Sequence, residues 1–124
     1  MMLRFDLPWP SSKLLPNARS PGAWRIKQTA AAAYKADCAI MCRAAAVGRM
    51  DGDRAHLTIR FCPPDRRRRD LDNMFASFKH GIDAIASAIG IDDYGFGYTI
   101  TRGEPVKGGR VEVAITPDQA ETAL

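Results

Sequence analysis

The stretch Arg66-Arg67-Arg68-Arg69-Asp70-Leu71-Asp72-Asn73 stands between two patterns of apolar residues, and its reading decides the fold. Before it, Leu57, Ile59 and Phe61 alternate with Thr58 and Arg60, the period of two that marks a strand over Ala55 to Cys62. Pro63-Pro64 ends that strand. After it, Phe75, Phe78, Ile82, Ile85 and Ile89 recur at steps of three and four, the stripe of a helix with one buried side. The arginine–aspartate run is therefore the crossing from a strand into a helix. Asp70 or Asp72 suits the helix N-cap, and Gly90 suits its C-terminal stop.

Working outward, Leu3-Arg4-Phe5-Asp6-Leu7 alternates and reads as a half-buried strand, closed by Pro8-Trp9-Pro10. Residues 11 to 22 are a loop rich in Ser, Pro, Asn and Gly, with Lys13 and Arg19 in it and Arg25 just beyond. Trp24 to about Val47 is alanine-rich and free of Gly and Pro, so a long helix is expected, with Tyr34, Cys38, Met41 and Ala45 on its apolar face. Asp51 and Asp53 flank Gly52 and are read as turn residues. Beyond the second helix, Ile91-Asp92-Asp93 turns into a third strand over Gly95 to Thr101. Lys107-Gly108-Gly109 reads as a hairpin turn into a fourth strand, Arg110 to Thr116. The expected fold is α+β, with order β-α-β-α-β-β: a four-stranded mixed sheet with two helices packed on it. It forms one small domain over residues 1–124, with 117–124 as a frayed tail.

Composition narrows the classes of function. The 124 residues carry a net charge of +4 and a pI near 9.2, with the positive charge clustered rather than spread. No apolar run approaches the roughly 20 residues of a membrane helix. Arg4 and Asp6 interrupt the only apolar stretch near the N-terminus, so no signal-peptide pattern is read there. Cys38, Cys42 and Cys62 are an odd set without CxxC spacing and are expected to be reduced, buried and cytosolic. His56 and His80 do not stand at zinc-finger spacing. Trp9 and Trp24 suit packing in a core or dimer interface better than base stacking.

The central stretch couples two chemistries. Arginines hold phosphate oxygens through bidentate bonds. Carboxylates offer the hard oxygen donors that Mg²⁺ or Mn²⁺ prefers. On a straight helix at about 100° per residue, with Asp72 at zero, Lys79 falls near −20° and Asp83 near +20°, so the three share one edge. A lysine so placed can neutralise charge building on a phosphodiester. Asp92 and Asp93 stand at the far end of the same helix, which is roughly 25 Å long if straight, and only the tertiary fold can return them to Asp72.

Asp70-Leu71-Asp72-Asn73 behind its arginines, Lys79 and Asp83, then Asp92-Asp93 and Lys107-Gly108-Gly109-Arg110, resemble the RusA family of Holliday junction resolvases. The opening Leu7-Pro8-Trp9-Pro10 is similar as well, and the resemblance spans roughly residues 3 to 116. It implies a homodimeric, Mg²⁺-dependent endonuclease, with Mn²⁺ able to substitute, that cuts two strands of a four-way DNA junction symmetrically. It places catalytic, metal-holding carboxylates on Asp70, Asp72 and Asp93 and the lysine on Lys79. Arg66, Arg67, Arg68, Arg69, Lys13, Arg19 and Arg110 are the expected DNA contacts, and Asn73, Asp83 and Asp92 the supporting neighbours. A cytoplasmic protein encoded by a bacterium or phage is expected, with no membrane partner. The family's lysine stands three residues after the DLDN tetrad, where this chain has Ala76, and Tyr94-Gly95-Phe96 replaces the family's glutamine after the aspartate pair. Those two departures motivate the alternative of a branched-DNA-binding protein that cuts weakly or not at all.

Overall fold

The computed structural model describes residues 2–15 and 22–117, so Arg19 and the expected frayed tail after Pro117 lie outside the described residues. Its elements in chain order are β1 (Leu3–Leu7), α1 (Ala23–Ala44), β2 (Ala55–Cys62), α2 (Leu71–Ser77), α3 (Lys79–Ile89), β3 (Phe96–Arg102) and β4 (Arg110–Pro117). Short 3-10 turns occupy Ser12–Leu14 and Asp93–Gly95. This is the expected α+β architecture, one small domain with a four-stranded mixed sheet.

The sheet order is β1-β4-β2-β3, with β2 antiparallel to β4, β4 antiparallel to β1, and β3 parallel to β2. β3 and β4 are therefore not neighbours, and Lys107-Gly108-Gly109 is not a hairpin turn. β2 occupies the place between them, where its buried Leu57, Ile59 and Phe61 stand beside Ile115, Val113 and Val111 of β4. The registers align in rows: Leu3–Ile115–Leu57–Tyr98, Phe5–Val113–Ile59–Ile100, and Leu7–Val111–Phe61–Arg102. That face carries the core. The alternate positions, among them Arg4, Thr58, Arg60, Thr99 and Thr101, make the opposite face polar and exposed.

The helices cover the apolar face. Phe78, Ile85 and Ile89 are fully buried and Ile82 nearly so, as the stripe predicts. Burial of each such side chain contributes about 1.5–3 kcal/mol. The expected single helix is broken, however, at Phe78, whose backbone departs from helical geometry at φ −93° and ψ 3°. A Cβ on Gly81 would run into the Phe78 ring, so the absent side chain there makes room for the ring beneath the first turn of α3. Gly90 ends α3 in the left-handed region at φ 74°, as expected. On α1 the buried residues are Tyr34, Cys38 and Cys42; Met41 and Ala45, expected on that face, are exposed. The three cysteines are free and buried.

Gly95 fixes where the Asp92-Asp93 turn meets the sheet. A Cβ there would collide with the carbonyl oxygen of Asp53, on the backbone leading into β2. Gly48 has ordinary backbone geometry and open space around it. Gly95→Ala is therefore expected to lower unfolding free energy by about 1–3 kcal/mol in urea titrations, as overpacking does. Gly48→Ala is expected to be neutral or stabilising by up to about 1 kcal/mol. Equal stability of Gly95→Ala and the unaltered chain would contradict this close approach.

Candidate functional site

The strand directions gather one set of loops. The C-terminal ends of β1, β2 and β3 and the N-terminal end of β4 lie at the same end of the sheet. Residues 8–15, 63–70 and 103–109 therefore meet there. Val106 N–H donates to the Pro63 carbonyl at 2.9 Å, and Gly103 N–H to the Phe61 carbonyl at 2.8 Å. A cleft of about 610 Å³ opens among them, lined by Trp9, Ser11, Pro64, Arg68, Arg69, Asp70, Asn73 and Gly108, among others.

The four arginines do different work. Arg66, Arg67 and Arg68 are exposed. Arg67 stands 3.8 Å from Asp65, and Arg68 3.9 Å from Asp70, loose pairs that leave the guanidiniums available to a stronger anion. Arg69 is turned inward, with its side chain 21% exposed. It donates to the Asp65 carboxylate at 2.8 Å and to the carbonyls of Asp65 and Arg67, and lies over the Trp9 ring at 5.8 Å. Trp9 in turn packs edge-on against buried Phe61. Arg69 is thus an internal clip that shapes the loop, in contrast to its expected place among the DNA contacts. Arg102, which no sequence pattern marks, completes the clip: its guanidinium donates to the Arg69 carbonyl at 2.7 Å. Its position at the end of β3, in one row with Leu7, Val111 and Phe61, becomes visible only through the strand register.

Asp70 takes the N-cap position of α2 but makes no side-chain cap bond, so its carboxylate remains exposed beside the cleft. Asp72, in the first turn, accepts a bond from Asn73 N–H at 3.0 Å and is also exposed. Asp93 is elsewhere. It precedes β3 at the opposite end of the sheet, and β3 is about 20 Å long at roughly 3.3 Å per residue. Among the described residues no three Asp, Glu, His or Cys side chains form a group able to hold a metal ion. One chain therefore does not gather Asp70, Asp72 and Asp93 into a single ligand set. An aromatic pair lies between the two ends: Phe75, one turn after Asp72, packs on Tyr98 at 5.0 Å. Burial raises the Tyr98 hydroxyl pKa, and the nearby charges of Asp93 and Asp83 raise it further.

Around Asp93, the Asp92 carboxylate accepts from Tyr94 N–H at 2.9 Å, and this bond holds its pKa below the ordinary value. Asp83 stands 3.8 Å from His80. A shallow groove there is lined by Lys35, Asp83, Asp92 and Asp93. Lys79 is exposed at the start of α3 and has no ion-pair partner among the described residues. Because the break at Phe78 falls between them, the straight-helix phase linking Asp72 to Lys79 and Asp83 does not apply. Arg110 is tied to Glu112 on its own strand at 2.8 Å, whereas Lys13 is exposed and lies outside the lining of the cleft. Trp24, expected to pack, is 69% exposed. Burial raises all three thiols, Cys38 to about 12, so none is a thiolate nucleophile or ligand near neutral pH.

The donor chemistry fits a hard cation. Mg²⁺ usually takes one or two carboxylates and completes its shell with phosphate oxygens and water. Asp70 and Asp72 offer that much next to arginines suited to the same phosphate.

The hydrogen bond from Arg69, joined by that from the Arg67 N–H, holds the Asp65 carboxyl below its ordinary pKa of 3.8. A depressed carboxylate contributes stability that is present above the unfolded pKa and fades as pH falls through the folded one. Asp65→Asn should therefore lower Tm at pH 7, with the gap to the unaltered chain closing as pH falls below about 4. A gap of constant size across that range would contradict the clip.

No protein-family model matches the chain. It is 37% identical over an aligned 124 residues to an uncharacterized protein of Xylella fastidiosa (strain Temecula1 / ATCC 700964), covering 93% of this chain and 76% of that one. The chain belongs to the same family as this bacterial protein.

Proposed function

We infer that the chain is a RusA-type endodeoxyribonuclease that resolves four-way DNA junctions by paired, symmetric cuts. The observation that carries this reading is the cleft lined by Arg68, Arg69, Asp70 and Asn73, with exposed Arg66 and Arg67 just before it in the chain and exposed Asp72 between Asp70 and Asn73. Phosphate affinity and hard-cation affinity meet there within a few residues. Asp70 and Asp72 would hold Mg²⁺ or Mn²⁺, and a bound ion would supply charge stabilisation and an activated water. The arginines orient the phosphodiester, Asn73 supports the carboxylates, and Lys79 offsets negative charge from the next helix. A two-fold homodimer suits the substrate, since a junction offers two equivalent strands to two equivalent sites. The setting is the cytoplasm of a bacterium or a phage-infected cell, in DNA recombination and repair.

A second reading has its own observation behind it. Asp93 stands at the other end of the sheet from Asp70, which favours a branched-DNA-binding protein that cuts weakly or not at all.

With a labelled four-way junction and Mg²⁺ at pH 7 to 9, the unaltered chain is expected to nick two opposing strands. Asp72→Asn is expected to lose cutting and retain binding, because phosphate contacts survive the loss of a metal ligand. Lys79→Ala slows cutting under the first reading and changes nothing under the second. Binding that shows no steep loss of affinity with salt would overturn both.

A further inference from the structure

A second groove, of about 600 Å³, shares Trp9 with the arginine cleft. One wall is a face of α1 running from Arg25 through Ala30 and Ala33 to Asp37; the other includes Trp9 and Lys13. At 1.5 Å per residue the α1 wall is about 18 Å long. The two walls are tied together, since the buried Tyr34 hydroxyl donates to the Pro8 carbonyl at 2.6 Å. The groove is thus formed in the chain as folded, and its volume lies within the range of about 300–1,000 Å³ usual for ligand sites.

Charge is graded along it. Lys13 and Arg25 are exposed, and neither has an ion-pair partner among the described residues. Asp37 marks the other end of the α1 wall. Trp9 and Ser11 line both this groove and the arginine cleft, so the two adjoin at the indole. A strand whose phosphates lie against Arg68 can pass Trp9 and enter the groove. A protein helix laid in the same place would leave the two cations unmatched.

We propose that this groove is a second subsite, which takes a short unpaired segment of the nucleic-acid strand held in the arginine cleft. Lys13 and Arg25 receive its phosphates, and Trp9 offers an aromatic surface to a base. Asp37 accepts a hydrogen bond from a base that carries an amino group. The assignment rests on the reading of the arginine cleft as a phosphate site.

Fluorescence anisotropy with two labelled four-way junctions tests it, one fully paired and one with unpaired adenines at the branch point. The unaltered chain should bind the unpaired form about tenfold more tightly, the effect of one stacked base. Arg25→Gln, at an exposed position, and Ala33→Trp, which fills the groove from an exposed helix position, should each remove that preference. Both should bind the fully paired junction within about threefold of the unaltered chain, since the arginine cleft is untouched. Equal affinity of the unaltered chain for the two junctions, or a preference that survives in both variants, would overturn the subsite and leave the cleft reading standing. Failure of the unaltered chain to bind either junction in a salt-sensitive way would overturn the cleft reading and the subsite with it.

Discussion

The inward guanidinium of Arg69 is the interaction on which the candidate site depends. It joins the Asp65 carboxylate, two loop carbonyls and the Trp9 ring, and its own carbonyl is held by Arg102. The loops after β1 and β2 and the end of β3 are thereby fixed to one another. A run of four like charges would otherwise extend and repel. With one arginine turned inward and tied, the other three are presented from a defined backbone. A preorganised loop loses less freedom when an anion binds than a mobile one does.

The sheet decides what that loop can meet. Parallel pairing of β2 with β3 brings Arg102 to the Arg69 carbonyl and sends Asp93 to the opposite end. The break at Phe78 then divides the polar edge of one expected helix between two. The result is one basic–acidic cleft and one separate acidic corner around Asp83, Asp92 and Asp93, with Phe75 and Tyr98 between them. The single chain thus assembles a basic surface more completely than a ring of carboxylates.

Much of this was legible in the residues. Alternation in Leu57–Phe61 and the stripe from Phe78 to Ile89 gave strand and helix because each pattern matches its element's geometry. Gly90 stopped its helix and the cysteines were buried, as their types predict. Strand order was not legible: the Lys107-Gly108-Gly109 turn has the chemistry of a hairpin, but β2 fills the place beside β4 through long-range burial. Nor was the break at Phe78, which comes from a ring fitting over Gly81 while the apolar stripe continues unbroken. In the site, the adjacency of Arg66–Arg68 to Asp70 and Asp72 was visible at once. The separate role of Arg69 was not, because it depends on Asp65, Trp9 and Arg102, two of them distant in the chain.

Under the proposed function, phosphate and a hard cation meet at the arginine–aspartate stretch. Paramagnetic broadening of backbone amide signals by substoichiometric Mn²⁺, with the chain bound to a short DNA duplex, tests it most directly. Residues 70 to 73 are expected to broaden first, and more strongly with DNA than without it, since phosphate oxygens complete the ion's shell. Unchanged signals there, with broadening confined to the Asp51–Asp53 turn or absent altogether, would contradict it.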